Sequence, residues 1–158
     1  MRTLFIGVGS PIRGDDGVGP AVGERIHAAD PAGNEFVPFE GSGLDLLGWL
    51  ARKDAAERVV IVDSIDSGQV GVGEVARIRV QERAGTDTGT GTGFASSHHV
   101  GILEAFELAK KFGLAVPEVR LYAVGIRPAV GFREGLSPAL AARLDDIVRE
   151  IRDDVQAG

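Results

Sequence analysis

Cysteine is absent from the 158-residue sequence. Its absence excludes disulfide bonds, a thiolate nucleophile and any metal site built from cysteine. No apolar run approaches the roughly 20 residues of a membrane-spanning helix, and the first residues lack the apolar core of a signal peptide. We therefore expect a soluble, cytoplasmic protein that does not interact with membranes.

Positive charge and aromatic residues are also scarce. The chain has 17 lysines and arginines against 23 acidic residues, a net charge of −6, and its basic residues are scattered. This distribution argues against binding to nucleic acid or to an anionic membrane. Aromatic residues make up 6% of the chain, whereas glycines number 23, which is usual for a loop-rich α/β enzyme. The length predicts one domain, 1–158, that buries about two-thirds of its unfolded surface.

Apolar runs and amphipathic stretches alternate along the chain. Buried or edge strands are predicted at Leu4–Val8, Asn34–Phe39, Arg58–Asp63, Glu74–Val80 and Val119–Val124. Helices are predicted from about Val18 to Ala29, from Leu44 to Lys53, from His98 to about Phe112, and after the capping pair Ser137-Pro138. The order predicts a mostly parallel sheet with an antiparallel edge strand at Glu74–Val80. The segment 83–93 has little to bury and is predicted to be a flexible loop.

Acidic residues follow three of the predicted strands. Ligands of such folds bind at the carboxyl ends of the strands, so these residues and the start of a later helix can share one edge. The candidates are Asp15, Asp16, Glu40, Asp63, Asp66 and His98.

Five of the six candidates also have a purely structural interpretation. Asp16 could cap the first helix, and Asp15 could bond nearby backbone N–H groups in its turn. Asp63 could cap the turn after its strand, and Asp66 is expected to be an exposed loop residue. His98 and its neighbour His99 could be a solvated pair.

A histidine at the first turn of a helix is unusual as packing. The positive end of the helix dipole disfavours a charged imidazole, and a neutral imidazole is a good metal ligand. One imidazole and two carboxylates can bind a divalent cation. The zinc-protease motif H-E-x-x-H and the nucleophile elbow G-x-S-x-G are both absent. Cation-assisted hydrolysis or acid/base catalysis by carboxylates is therefore the favoured chemistry.

Three motifs together resemble the hydrogenase maturation endopeptidases. They are the glycine-rich segment 7–19 with its Asp15-Asp16 pair, the segment 62–66 that contains Asp63, and 97–101 that contains His98. The resemblance covers nearly the whole chain and includes 124–128 and the closing 135–138. The family commonly has asparagine where Ser10 stands here.

The resemblance implies a three-layer α/β/α sandwich around a twisted five-stranded sheet. It also implies an aspartic-type endopeptidase that removes a C-terminal extension from the precursor of a nickel–iron hydrogenase large subunit. The family's functional residues match Asp16, Asp63 and His98, which would be both catalytic and nickel-recognising. The nickel would be carried by the substrate, and the protein itself is expected to be a monomer without an organic cofactor.

Two other functions remain open on the sequence. The same three residues could serve a metal-dependent hydrolase of small molecules, or a nickel-site chaperone without catalytic activity. The loop at 83–93 could close over the tail of the precursor. The glycines of the first motif are expected to let the backbone of a partner approach closely.

Overall fold

The computed structural model describes residues 2–40, 43–50, 56–78, 97–114, 117–128 and 130–158. Within these ranges the side chains of 43, 44, 47, 50 and 97–103 are not described. The predicted loop at 83–93 lies outside the described residues.

The described elements follow the predicted order closely. The strands are β1 (Thr3–Val8), β2 (Asn34–Phe39), β3 (Arg58–Ile65), β4 (Val75–Ile78) and β5 (Glu118–Gly125). The helices are α1 (Val18–Ala29), α2 (Gly43–Leu50), α3 (Ser97–Lys111) and α4 (Pro138–Ala157). No helix in the described part of the chain is both long and apolar enough to span a membrane.

The five strands form one mixed sheet in the order β2-β1-β3-β5-β4. Neighbouring strands are parallel, except that β4 runs antiparallel to β5 at the edge. The prediction of an antiparallel edge strand is therefore confirmed. The parallel strands end on the same side of the sheet, and the loops that follow them meet there.

Helices cover both faces of the sheet, which gives the predicted three layers. Because side chains alternate along a strand, Val59 and Ile61 of β3 pack towards α2 and α3, whereas Val60 and Val62 pack towards α1 and α4. Burial of two apolar faces explains why the interior strands consist almost entirely of apolar residues. The inner stripe of α4 is buried as its 3.6-residue spacing predicts: Leu140, Leu144, Ile147, Ile151 and Val155.

Helix α4 is fixed at both ends. At its start Ser137 is the N-cap, and its side chain accepts a hydrogen bond from the Leu140 backbone N–H. At its end two buried arginines, Arg58 and Arg120, donate to the main-chain oxygen atoms of the last turn. Such bonds satisfy carbonyl groups that the helix itself leaves unpaired.

Glu118 pairs with both arginines at this edge, opposite the carboxyl ends of the strands. Burial of the carboxyl would by itself raise its pKa. The hydrogen bonds from Arg120 and Arg58, together with their charges, outweigh burial and lower the pKa of Glu118 below its ordinary value. This cluster ties the starts of β3 and β5 to the end of α4.

The predicted end of β3 differs from the structure. Strand β3 continues two residues past Asp63, because Ser64 and Ile65 still pair with Val124 and Gly125 of β5. Helix α2 is described to Leu50, and the rest of the prediction, to Lys53, lies outside the described residues.

Candidate active site at the carboxyl ends of the strands

The first loop turns tightly between β1 and α1. Gly9 has a φ of +138°, and a Cβ atom there would lie 1.9 Å from the main-chain oxygen of Asp16. A Cβ atom on Gly19 would lie 2.4 Å from the main-chain oxygen of Val62 in β3. The expectation that these glycines admit the backbone of a partner is therefore wrong for Gly9 and Gly19: they allow this chain to pack against itself.

Asp16 lies in a 3-10 turn, Gly14–Gly17, at the entrance to α1. Its Oδ2 atom accepts a hydrogen bond from the Ser10 backbone N–H (3.0 Å), and its Oδ1 atom accepts one from the Ser64 hydroxyl (2.9 Å). The residue is half-buried. The N-cap of α1 is Gly17, with no side-chain cap, so Asp16 does not cap this helix.

Two donors fix the orientation of the Asp16 carboxylate. Each carboxylate oxygen has two lone pairs, and the described bonds use one on each oxygen. Asp16 therefore keeps capacity to bind a cation or a substrate N–H group while its position is held by the protein.

Asp63 lies inside β3, where it faces Ala123 of β5. The prediction makes Asp63 the last residue of the strand, but pairing with β5 continues two residues beyond it. Asp63 is completely buried, and its Oδ1 atom accepts a hydrogen bond from the Ser64 backbone N–H at 2.8 Å. The alternation of β3 places Asp63 on the same face as Ile61 and Ile65, which α2 and α3 cover.

Ser64 connects the two acidic residues. Its backbone N–H donates to Asp63 and its hydroxyl donates to Asp16, which comes 48 positions earlier in the chain. Sequence reasoning misses this residue, because the predicted strand ends at Asp63 and leaves Ser64 in the following loop. The connection brings both predicted carboxylates to one end of the central strand.

His98 is the second residue of α3. Helix α3 precedes β5, which is parallel to β1 and β3, so the start of α3 lies near the carboxyl ends of these strands. Its side chain is outside the described set, as is that of His99. Among the side chains that are described, no three His, Asp or Glu residues are grouped as a metal site.

Asp15 has a role that the sequence only partly indicated. Its carboxylate accepts hydrogen bonds from the Ser137 backbone N–H (2.6 Å) and from the Ser137 hydroxyl (2.8 Å). Asp15 thus holds a turn, as expected, but its partner is the N-cap of α4 rather than a neighbour in the loop. The loop that presents Asp16 is anchored to the last helix.

The remaining acidic candidates and one further histidine differ in their surroundings. Glu40 and Asp66 are exposed. His27 is half-buried in α1, and its Nδ1 atom lies 2.5 Å from the main-chain oxygen of Asn34 at the start of β2. His27 therefore has a structural contact.

Comparison with solved structures identifies the fold. A hydrogenase maturation endopeptidase, HybD, from Escherichia coli superimposes with a TM-score of 0.73 over 99% of this chain and 93% of its own, at 23% identity. The chain has the hydrogenase maturation endopeptidase fold. The [NiFe] hydrogenase maturation protease HybD from Thermococcus kodakarensis gives a TM-score of 0.71 at 22% identity, over 98% of this chain and 99% of its own.

A third structure, of an endopeptidase from Escherichia coli, gives a TM-score of 0.70 at 24% identity, over 96% of this chain and 90% of its own. No protein-family model and no curated protein matches the sequence. The resemblance that the three sequence motifs indicate is therefore confirmed at the level of the fold. In this hydrogenase maturation endopeptidase fold, Asp16 and Asp63 lie at the carboxyl end of the sheet.

Proposed function

We propose that the protein is an endopeptidase that removes a C-terminal extension from the precursor of a nickel–iron hydrogenase large subunit. The observation that carries the proposal is the joining of Asp16 and Asp63 through Ser64 at the end of the central strand. The names of the structures with the same fold support the same activity. The cytoplasm is the compartment in which we expect the reaction.

In this proposal the nickel ion enters with the substrate. Oxygen and imidazole ligands suit a borderline divalent metal, and Asp16 and His98 are the residues proposed to meet it. Asp63 has no exposed surface, so a substrate atom could reach it only after a neighbour moves. We therefore assign Asp16 the direct contact with the substrate and propose that Asp63 engages the metal as the precursor binds.

The peptide bond is cleaved by water in this scheme. Asp16 is the carboxylate best placed to take a proton from that water, because it is half-buried and held by two donors. The nickel of the substrate would help by polarising the scissile carbonyl.

The test is incubation with a nickel-loaded large-subunit precursor, followed by mass spectrometry of its C-terminus. Wild type is expected to shorten the precursor, whereas Asp16→Asn, Asp63→Asn and His98→Gln lose at least about 100-fold in rate, as expected for a positioned acid/base group. The matched controls are Asp66→Asn, an exposed acid on the same side of the sheet, and His99→Gln. Both are expected to keep the wild-type rate.

Two outcomes would favour the other functions. Tightly bound stoichiometric metal together with cleavage of small amides or esters would indicate a metal-dependent small-molecule hydrolase. Maturation that survives Asp16→Asn so long as binding is retained would indicate a nickel-site chaperone.

A further inference from the structure

Part of the first loop forms an exposed ridge with a second segment of the chain. Two segments, 12–14 and 130–133, are joined there by backbone hydrogen bonds, from Gly14 N–H to the oxygen of Arg133 (2.7 Å) and from Arg133 N–H to the oxygen of Ile12 (2.9 Å). The bonds between Asp15 and Ser137 continue the same connection. The ridge is therefore firmly held, and its Arg13 lies only three residues before Asp16 in the chain.

The ridge exposes apolar side chains. Ile12 is 53% exposed, Phe132 85% and Val130 92%. Exposed apolar groups that cluster in this way are typical of interaction surfaces. Because the backbone beneath these side chains is already fixed, this chain would lose little conformational entropy when a partner binds there.

The ridge also carries two exposed arginines. Arg13 and Arg133 stand opposite each other across the bridge between the two segments, and both are exposed. Like charges in directly opposed positions destabilise a pairing, so this arrangement brings the isolated fold no stability.

The lack of an ion pair distinguishes Arg13 and Arg133 from most other arginines of the described ranges. Apart from Arg13, Arg133 and the nearby Arg127, each of them forms an ion pair with an aspartate or a glutamate. Arg13 and Arg133 make no such pair with another described residue. In a chain of net charge −6, the described arginines that form no ion pair thus include two that lie beside the candidate active site.

We propose that this arginine ridge (Ile12, Arg13, Val130, Phe132 and Arg133) docks an apolar, carboxylate-bearing segment of the precursor polypeptide. The proposal rests on the proposed function, since it names where the same substrate binds. Guanidinium groups select carboxylates through paired hydrogen bonds, and the apolar side chains supply contact area. A second copy of this chain fits poorly, because a two-fold dimer would bring arginine towards arginine.

The test measures binding separately from cleavage. The affinity of nickel-free precursor reports on docking alone, because the proposed reaction needs the nickel. Phe132→Ala and the double variant Arg13→Gln/Arg133→Gln are each expected to weaken this binding roughly tenfold or more. With nickel-loaded precursor, KM should rise by a similar factor while kcat stays within about twofold.

Matched controls lie elsewhere on the surface. Phe112→Ala removes another aromatic side chain that is 70% exposed, and Arg149→Gln removes a 62% exposed arginine of α4. Both should bind and cleave like wild type. Added salt should weaken binding of wild type more steeply than binding of the double arginine variant.

The outcomes separate the two proposals. Wild-type affinity in both ridge variants would overturn the docking surface, as would a fall in kcat without a change in affinity. A concentration-dependent dimer that Phe132→Ala dissociates would also overturn it, because the ridge would then be a self-association surface. If wild type binds the precursor but never cleaves it, and the ridge variants bind tenfold more weakly, the docking surface stands and the peptidase function falls.

Discussion

Replacing Ser64 with alanine tests whether the two carboxylates act as one unit. The change removes a 2.9 Å hydrogen bond from the Ser64 hydroxyl to Asp16, but keeps the backbone bond to Asp63. A hydrogen bond to a charged group contributes about 1.5–3 kcal/mol. Because Asp16 is half-buried, water can replace part of that contribution, and we expect a loss of about 1 kcal/mol in the free energy of unfolding.

That loss corresponds to a fall in Tm of roughly 2–4 °C for a chain of this length. The effect on catalysis should be larger, because a misplaced catalytic group or a lost orienting partner costs about 10–100-fold. We therefore expect kcat/KM for the nickel-loaded precursor to fall by that factor at a temperature where the variant is fully folded. Ser64→Thr, which keeps a hydroxyl and suits a strand, should recover most of the activity.

Ser67→Ala is the matched control, because its hydroxyl contacts only the exposed Gln69 among the described residues. Kinetics should be compared with thermal unfolding for all three variants. If Ser64→Ala cleaves the precursor at the wild-type rate, the coupling of Asp16 to Asp63 has no catalytic role. A loss of activity that merely follows the unfolded fraction would refute the reasoning equally.

Two further predictions concern the framework around the site. Gly9→Ala would place a Cβ atom 1.9 Å from a main-chain oxygen, so we expect the free energy of unfolding in urea to fall by more than about 3 kcal/mol. The control is Gly68→Ala, which has φ +79° but open space around it; its free energy of unfolding should fall by only about 1–2 kcal/mol. Folding lowers the pKa of Glu118, so its contribution to stability is present above the ordinary pKa of about 4.5 and is lost as the pH falls through the folded value. In urea unfolding measured against pH, Glu118→Gln should therefore reduce the loss of stability at acid pH. An unchanged loss in this variant would contradict the ion-pair cluster.

The sequence predicts the fold well wherever the residues of a segment alone determine its structure. The stripe of α4 and its Ser137-Pro138 start are local patterns, and both are confirmed. The apolar run of β3 likewise marks a strand covered on both faces. Its end is not a local property, because Ser64 and Ile65 are held in the strand by pairing with β5, about 60 residues later.

The candidate site is predictable only in part for the same reason. The rule that parallel strands end at one edge brings Asp16 and Asp63 together, but no local pattern distinguishes Ser64 from an ordinary loop serine. The partner of Asp15 is equally hidden, since Ser137 lies 122 positions further along the chain. Such contacts follow from the assembled topology and from nothing in the segment itself.

The first loop is attached to the rest of the fold in two ways, which serve different purposes. Asp15 fixes the loop to α4, while Asp16 is oriented by the loop itself and by β3. The two adjacent carboxylates therefore point to different partners, and of the two only Asp16 is proposed to contact the substrate. Because the loop is attached on both sides, Asp16 is held at a fixed position relative to the ridge, and a segment docked on the ridge would lie close to Asp16 without displacing it. The two proposals, substrate docking and catalytic positioning, thus concern one continuous element.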